Sequence, residues 1–182
     1  MSDKHSCGGT IRPISKDWAR CDGCGDDTFP ISYSAAGYNE PVMHVGFTGT
    51  RHGMTDAQRN RVLVELGRLT SGVFRVVGHH GDCVGADAEF HELLLANWDG
   101  AYIVGHIPTN DSDRAFCAFD EARPPLPYMR RNAEIVKAAN VMIAAPPTME
   151  PQERGGTWRT IGLARKAKKD LVVVLPDGSV MP

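Results

Sequence analysis

The stretch Arg154-Gly155-Gly156-Thr157-Trp158 places two small residues and a hydroxyl where an apolar run gives way to a helical pattern. A helix start of that kind presents free backbone N–H groups to an anion, so Gly155, Gly156 and Thr157 read as a phosphate cradle. A second candidate is Gly46 to Thr50, in which Gly46 and Gly49 permit close approach and Thr48 and Thr50 can donate hydroxyl protons. Arg51 beside it could add charge-assisted hydrogen bonds. In a third loop Gly81 and Gly85 allow bends, and Asp82 could accept from ribose hydroxyls. Asp87 falls just inside a helix, where the dipole favours a carboxylate. A carboxylate aimed at phosphate would repel it, so both aspartates are assigned to sugar or water. His79, His80 and Cys83 admit a metal or Cys–His reading, but loop neighbours do not fix that geometry. Arg130 and Arg131 open a helix, where cations are unfavourable unless an anion or carboxylate compensates them, or they are solvated. Asn132 offers a planar amide to sugar or base. Trp158 either stacks on a base or joins the core.

These groups can meet only if the elements between them bring one end of every strand to a common rim. Apolar runs predict strands at Val42–Phe47, Val73–Val77, Tyr102–Ile107, Val141–Ala145 and Leu171–Leu175. Helices are predicted from about Ala86 to Ala96, Arg130 to Ala139 and Trp158 to Lys169, with a further one after Thr55. Thr55 and Gln58 suit a capping box, and Val62, Leu66 and Leu69 share a face at helical spacing. Between the third strand and Arg130 lies a long polar stretch ending in the rigid Arg123–Pro127. Lys166, Lys168 and Lys169 suit the dipole at the last helix's C-terminus. Alternating strands and helices with near-continuous apolar strands imply an α/β, Rossmann-like parallel sheet with helices on both faces. Ligands of such sheets sit beyond the C-terminal strand ends.

With 182 residues the chain can bury one full core and a small appendage, and its net charge of -2 argues against a nucleic-acid or acidic-membrane partner. No basic segment leads into an apolar run, and no apolar run has the length of a bilayer span. Five cysteines, three of them clustered early, speak against a disulfide framework and for a reduced, cytoplasmic setting. Residues 1–36 are expected to form a small unit ahead of a main domain at 42–182. In it His5, Cys7, Cys21 and Cys24 have ligand chemistry for structural zinc, with short strands near Thr10–Ile14 and Thr28–Ser32. This segment resembles a zinc ribbon, with one residue between the first two ligands instead of two.

The ordered set Gly49–Thr55, His79–Asp87, Arg130–Val136, Ile143–Pro146 and Arg154–Trp158 resembles the SLOG superfamily of Rossmann-like proteins, closest to its YspA-like members. The likeness spans about residues 42 to 175. It implies nucleotide binding at the loops just named, with Gly156 and Thr157 on phosphate and Arg131 at the position of the catalytic arginine in LOG-type phosphoribohydrolases. Thr160 stands where those enzymes carry a glutamate, so a substitute carboxylate would have to come from Asp82, Glu150 or Glu153. The expected function is binding of a nucleotide or nucleotide-derived ligand, as sensor or sequestering protein. The alternatives are a nucleotide N-glycosidase and a zinc-ribbon accessory to nucleic acid. Arg12, Lys16, Arg20 and Trp18 favour the last, and Asp22, Asp26 and Asp27 oppose it. A homodimer is expected from the superfamily likeness.

Overall fold

The computed structural model describes residues 11–13, 18–21, 29–30, 41–152 and 155–181. The chain divides into two compact units, Met1–Pro41 and Val42–Pro182. The first holds three short strands, β1 (Ile11–Pro13), β2 (Trp18–Cys21) and β3 (Phe29–Pro30), paired antiparallel in that order.

The second unit is a seven-stranded sheet. In chain order it runs β4 (Val42–Gly49), α1 (Asp56–Leu69), β5 (Arg75–His80), α2 (Ala86–Asn97), β6 (Tyr102–Pro108), β7 (Glu121–Leu126), α3 (Tyr128–Ala138), β8 (Val141–Ala145), α4 (Gly156–Lys166), β9 (Asp170–Val174) and β10 (Val180–Met181). Across the sheet the order is β10-β9-β8-β4-β5-β6-β7. Every pair is parallel except β9 with β10. The sheet is therefore mixed but mostly parallel. The strand order reverses between β4 and β8, so the loops that leave these two strands part and open a crevice at their C-terminal ends.

Side-chain alternation along β4 shows why both faces are covered. Val45 and Phe47 point into the core formed with Val62 and Leu66 of α1 and Phe90 and Leu94 of α2. The Phe47 and Phe90 rings stack at 4.5 Å and 7°. Gly46, on the opposite face, is where α3 comes closest: a Cβ there would collide with Met142 and Ala139. Gly46 thus allows dense packing of α3 on the sheet. Ile135, Val136, Met142 and Ala164 close that second layer, and Trp158, Ile161 and Val173 continue it under α4.

Local signals explain the helix starts unevenly. Thr55 and Gln58 form the reciprocal capping box of α1, and the Thr55 hydroxyl also donates to Pro176 O at 2.7 Å. Gln58 is fully buried, yet its amide N–H groups reach Pro146 O at 2.9 Å and Val174 O at 3.0 Å. Buried Glu65 is held between Arg61 at 2.9 Å and Arg68 at 2.8 Å. The Lys169 side chain donates to Ala139 O at 2.5 Å and Lys137 O at 3.3 Å and closes the C-terminus of α3, while its backbone N–H donates to Ala164 O at 3.0 Å and closes α4. The strand β7 lies in the stretch expected to be a rigid polar connection. Its residues are mostly exposed and two are proline, which removes the apolar signal of a strand. No helix among the described residues is long and apolar enough to cross a membrane.

Gln58→Leu keeps volume while stranding two buried carbonyls and the Thr55 N–H. A loss of about 2–4 kcal/mol is expected, read as a lowered urea midpoint with unchanged slope.

Candidate functional site

At the crevice between β4 and β8 lies a cavity of about 650 Å³. Its wall brings together Thr48, Gly49, Thr50 and Arg51 after β4, Cys83 and Asp87 after β5, and Tyr128, Met129, Arg131 and Asn132 of α3. Gly155, Gly156, Thr157, Trp158 and Arg159 close the α4 side, with Pro147, Thr148 and Gln152 from the preceding loop. The Thr157 hydroxyl donates to Gly49 O at 2.8 Å, clamping the start of α4 to the end of β4. Asn132 Nδ2 donates to Thr160 Oγ1 at 2.7 Å, and Thr160 Oγ1 donates to Gly156 O at 2.8 Å. Thr160 is therefore a tie between α3 and α4.

Arg131 is the chemical centre of the wall. It is 4% exposed, and its side chain fits only because Gly81 has no Cβ, since one built there would coincide with the guanidinium. Arg131 donates to His106 O at 3.3 Å and to Cys83 Sγ at 3.4 Å, with Asp87 at 3.9 Å. Its Nε has no partner among the described residues. A buried guanidinium with five donors and such long contacts is under-satisfied and favours an anion. Tyr128 lies against both Arg131 and Arg51, with guanidinium carbons 5.7 and 5.4 Å from its ring centre. Arg51 also pairs with Asp113 at 2.7 Å.

Asp87 Oδ2 accepts from the N–H groups of Gly81 at 3.0 Å and Cys83 at 3.3 Å, so the carboxylate shapes its own loop. Burial pushes its pKa up, against the pull of Arg131 and the two N–H groups. Gly85 has φ 81°, the left-handed region that favours glycine. Asp82, with φ 58°, is fully buried and off the cavity wall. It pairs with Arg114 Nε at 2.7 Å and accepts from Cys117 N–H at 3.0 Å, anchoring the loop that leads into β7.

Of the residues expected at a nucleotide, Gly46, Gly81, Gly85, Asp82 and Arg130 do not line the cavity. Among the expected carboxylates Glu150 is exposed and off the wall, and Glu153 lies outside the described residues. Trp158 is 6% exposed, and its Nε1 donates to Thr148 Oγ1 at 3.0 Å, which pins the loop before α4. Tyr128 and Arg159 reach the wall without having been singled out; an aromatic next to Pro127 and an arginine after Thr157 carry no distinctive spacing.

The histidines form two chains of neutral rings. His44 Nδ1 lies 2.9 Å from His79 Nε2, and His79 Nδ1 lies 3.1 Å from His106 Nε2. Burial, then the neighbouring charges of His106, His44 and Arg123, lowers the His79 pKa to about 3. Burial, followed by Arg123 and Arg131, lowers His106 to about 4. In the other chain His80 Nε2 is 3.1 Å from His91 Nδ1. With Cys117 these two make a group of possible metal ligands. The Asp82 N–H points at His80 Nδ1 at 3.2 Å, which leaves the ring proton on Nε2. That proton fits donation to His91 and occupies the position a metal would need. The Cys117 thiol is pushed up to about 12, by burial first and Asp82 second.

No family model and no curated protein matches the sequence. Among solved structures, the chain is similar to a molybdenum-cofactor binding protein from the phototrophic bacterium Rippkaea orientalis. The match has a TM-score of 0.53 and 22% identity, and covers 76% of this chain and 78% of that one. A molybdenum-cofactor carrier protein from Chlamydomonas reinhardtii matches at TM-score 0.49 and 21% identity, over 74% and 76% of the two chains. The first of these shows the Rossmann-like fold. Two expectations are corrected. The structural neighbour at TM-score 0.53 is a molybdenum-cofactor binding protein and not a SLOG or YspA-like protein. The reason is physical: Gly81, which carried part of the likeness, is required here by packing against Arg131. The structural zinc is corrected as well, because the neighbour at TM-score 0.53 is named for a molybdenum cofactor. His5, Cys7 and Cys24 lie outside the described residues, as does the side chain of Cys21. The soft ligands that the described residues do gather, His80, His91 and Cys117, do not specify zinc.

The buried rings set a pH dependence. Unfolded histidines take up protons as pH falls through about 6.5, whereas folded His79 and His106 stay neutral down to about 3 and 4. Stability is therefore complete above pH 6.5 and falls below it, by up to about 1.4 kcal/mol per pH unit for each such ring. Urea midpoints between pH 6.5 and 5 check this, and His79→Gln should flatten the slope.

Proposed function

We propose that the cavity binds a phosphate-bearing ligand of nucleotide type and holds it without turnover. The observation that carries this reading is the wall's electrostatics. Two helices, α3 and α4, begin on the cavity with no side-chain N-cap and no acidic residue in the first turn. Free N–H groups and the positive dipole ends then face the same space as the under-satisfied Arg131. On this reading Gly155, Gly156 and Thr157 take the phosphate. Thr48, Thr50 and Asn132 serve a sugar or an equivalent polar spacer, and Met129, Ile135 and Pro147 offer apolar surface to a planar ring. The neighbour named for the molybdenum cofactor adds that cofactor to the ligands worth testing beside nucleotides.

Hydrolysis of an N-glycosidic bond needs a carboxylate under the sugar and a group to activate water or protonate the base. Among the described residues the cavity wall offers one carboxylate, Asp87, and its Oδ2 already takes two backbone N–H bonds. Binding is therefore the reading the wall supports, and catalysis lacks its acid.

Titration calorimetry with nucleoside monophosphates, nucleoside diphosphates and molybdenum cofactor, against the same heterocycles without phosphate, tests the reading. Phosphorylated ligands should bind and their dephosphorylated forms should not. Thr157→Val should weaken binding about tenfold, and Gly81→Ala, which displaces Arg131, should weaken it further. Absence of binding across the panel removes the reading; release of free base during incubation replaces it with the hydrolase.

A further inference from the structure

The four helices of the sheet domain treat their starts in two ways. α1 has a capping box and Asp56 in its first turn, and α2 has Asp87 and Glu89. In contrast, α3 and α4 have neither cap nor acid, and their first turns carry Arg130 and Arg131 in one and Arg159 in the other. Cations at a helix start oppose the dipole, so each of these starts is electrostatically incomplete. Both open on one cavity: Tyr128 and Met129 bring the first, Gly156 and Thr157 the second. The buried Arg131, whose Nε has no partner among the described residues, belongs to the first turn of α3 and lies on the same wall. Arg159 is exposed on that wall beside the start of α4.

The two starts are also level. Asn132 is the fifth residue of α3 and Thr160 the fifth of α4, and the 2.7 Å bond between them ties the helices at that height. Packed helices lie about 8–10 Å apart between axes, so an anion in front of each start would be separated by a similar distance. One phosphate cannot lie on both axes, and the adjoining phosphates of a pyrophosphate are too close to reach both.

We infer that the ligand carries two separated anionic groups on one body, one received at the start of α4 by Gly156, Thr157 and Arg159, the other at the start of α3 beside Arg131. The class this defines is a bisphosphate, or a phosphate with a distant carboxylate, built on a sugar-sized scaffold. This inference rests on the reading of the cavity as a phosphate site and narrows it.

Calorimetry on the full chain with fructose 6-phosphate, fructose 1,6-bisphosphate and inorganic pyrophosphate tests it without knowing the natural ligand. The bisphosphate should bind at least about tenfold more tightly than the monophosphate, and pyrophosphate should gain no such advantage. Met129→Asp places a carboxylate in the first turn of α3 at a half-exposed position, so the fold is retained while an anion there is repelled. In this variant the bisphosphate should lose its advantage and bind no more tightly than the monophosphate binds to the same variant. Equal affinities in the wild type, or an advantage that survives Met129→Asp, overturn the inference and leave the phosphate site standing. Failure of all three probes to bind overturns both.

Discussion

The sheet domain is organised around a positive charge that the chain has buried and not fully paired. Placing the Arg131 guanidinium at the rim requires Gly81 to have no side chain, and requires Asp87 to turn its carboxylate toward the Gly81 and Cys83 amides at the charge's edge. The 3.9 Å to Asp87 is too long for a strong ion pair, and burying a charge without close pairing is costly. A fold tolerates such a cost where the charge is used. The neighbouring rings are kept neutral: burial first lowers the pKa values of His80 and His106, and Arg131 is among the further causes in each. The charge at the rim therefore shapes the protonation of the sheet beneath it.

The α/β alternation was legible because apolar strands buried on both faces leave long runs, and because the Thr55–Gln58 box is written in two residues. The helix start at Gly155–Thr157 was legible for a similar reason: a helix start with small residues is a local event. What escaped the sequence depends on distant partners. Asp82 was suited to a sugar by type alone, whereas Arg114, 32 residues away, takes its carboxylate. Thr160 was read as the absence of a glutamate, and only the packing of α3 on α4 shows it receiving Asn132. Trp158 was left between two roles, and the Thr148 hydroxyl decides for an anchor.

The histidines show the same limit. Seven histidines in one chain suggest metal or acid–base work when read as residue types. Five of them instead stand on neighbouring strands and α2, satisfying one another ring to ring, four buried and His44 half-buried. An imidazole has one donor and one acceptor, so a row of them can be internally complete with no charge and no ion. Their spacing along the chain reflects sheet register, with Gly46 opposite His79 and Val77 opposite His44.

The two proline residues of β7 have a meaning for the molecule's outer boundary. Pro124 and Pro125 stand in the last strand on one side of the sheet, where they offer no N–H to a newcomer. On the other side the sheet ends in β10, only two residues long and antiparallel to its neighbour. Among the described residues both margins are therefore poor templates for a further strand, one interrupted by proline and the other too short, and an open sheet gains at its edges part of the protection that a barrel gains by closing.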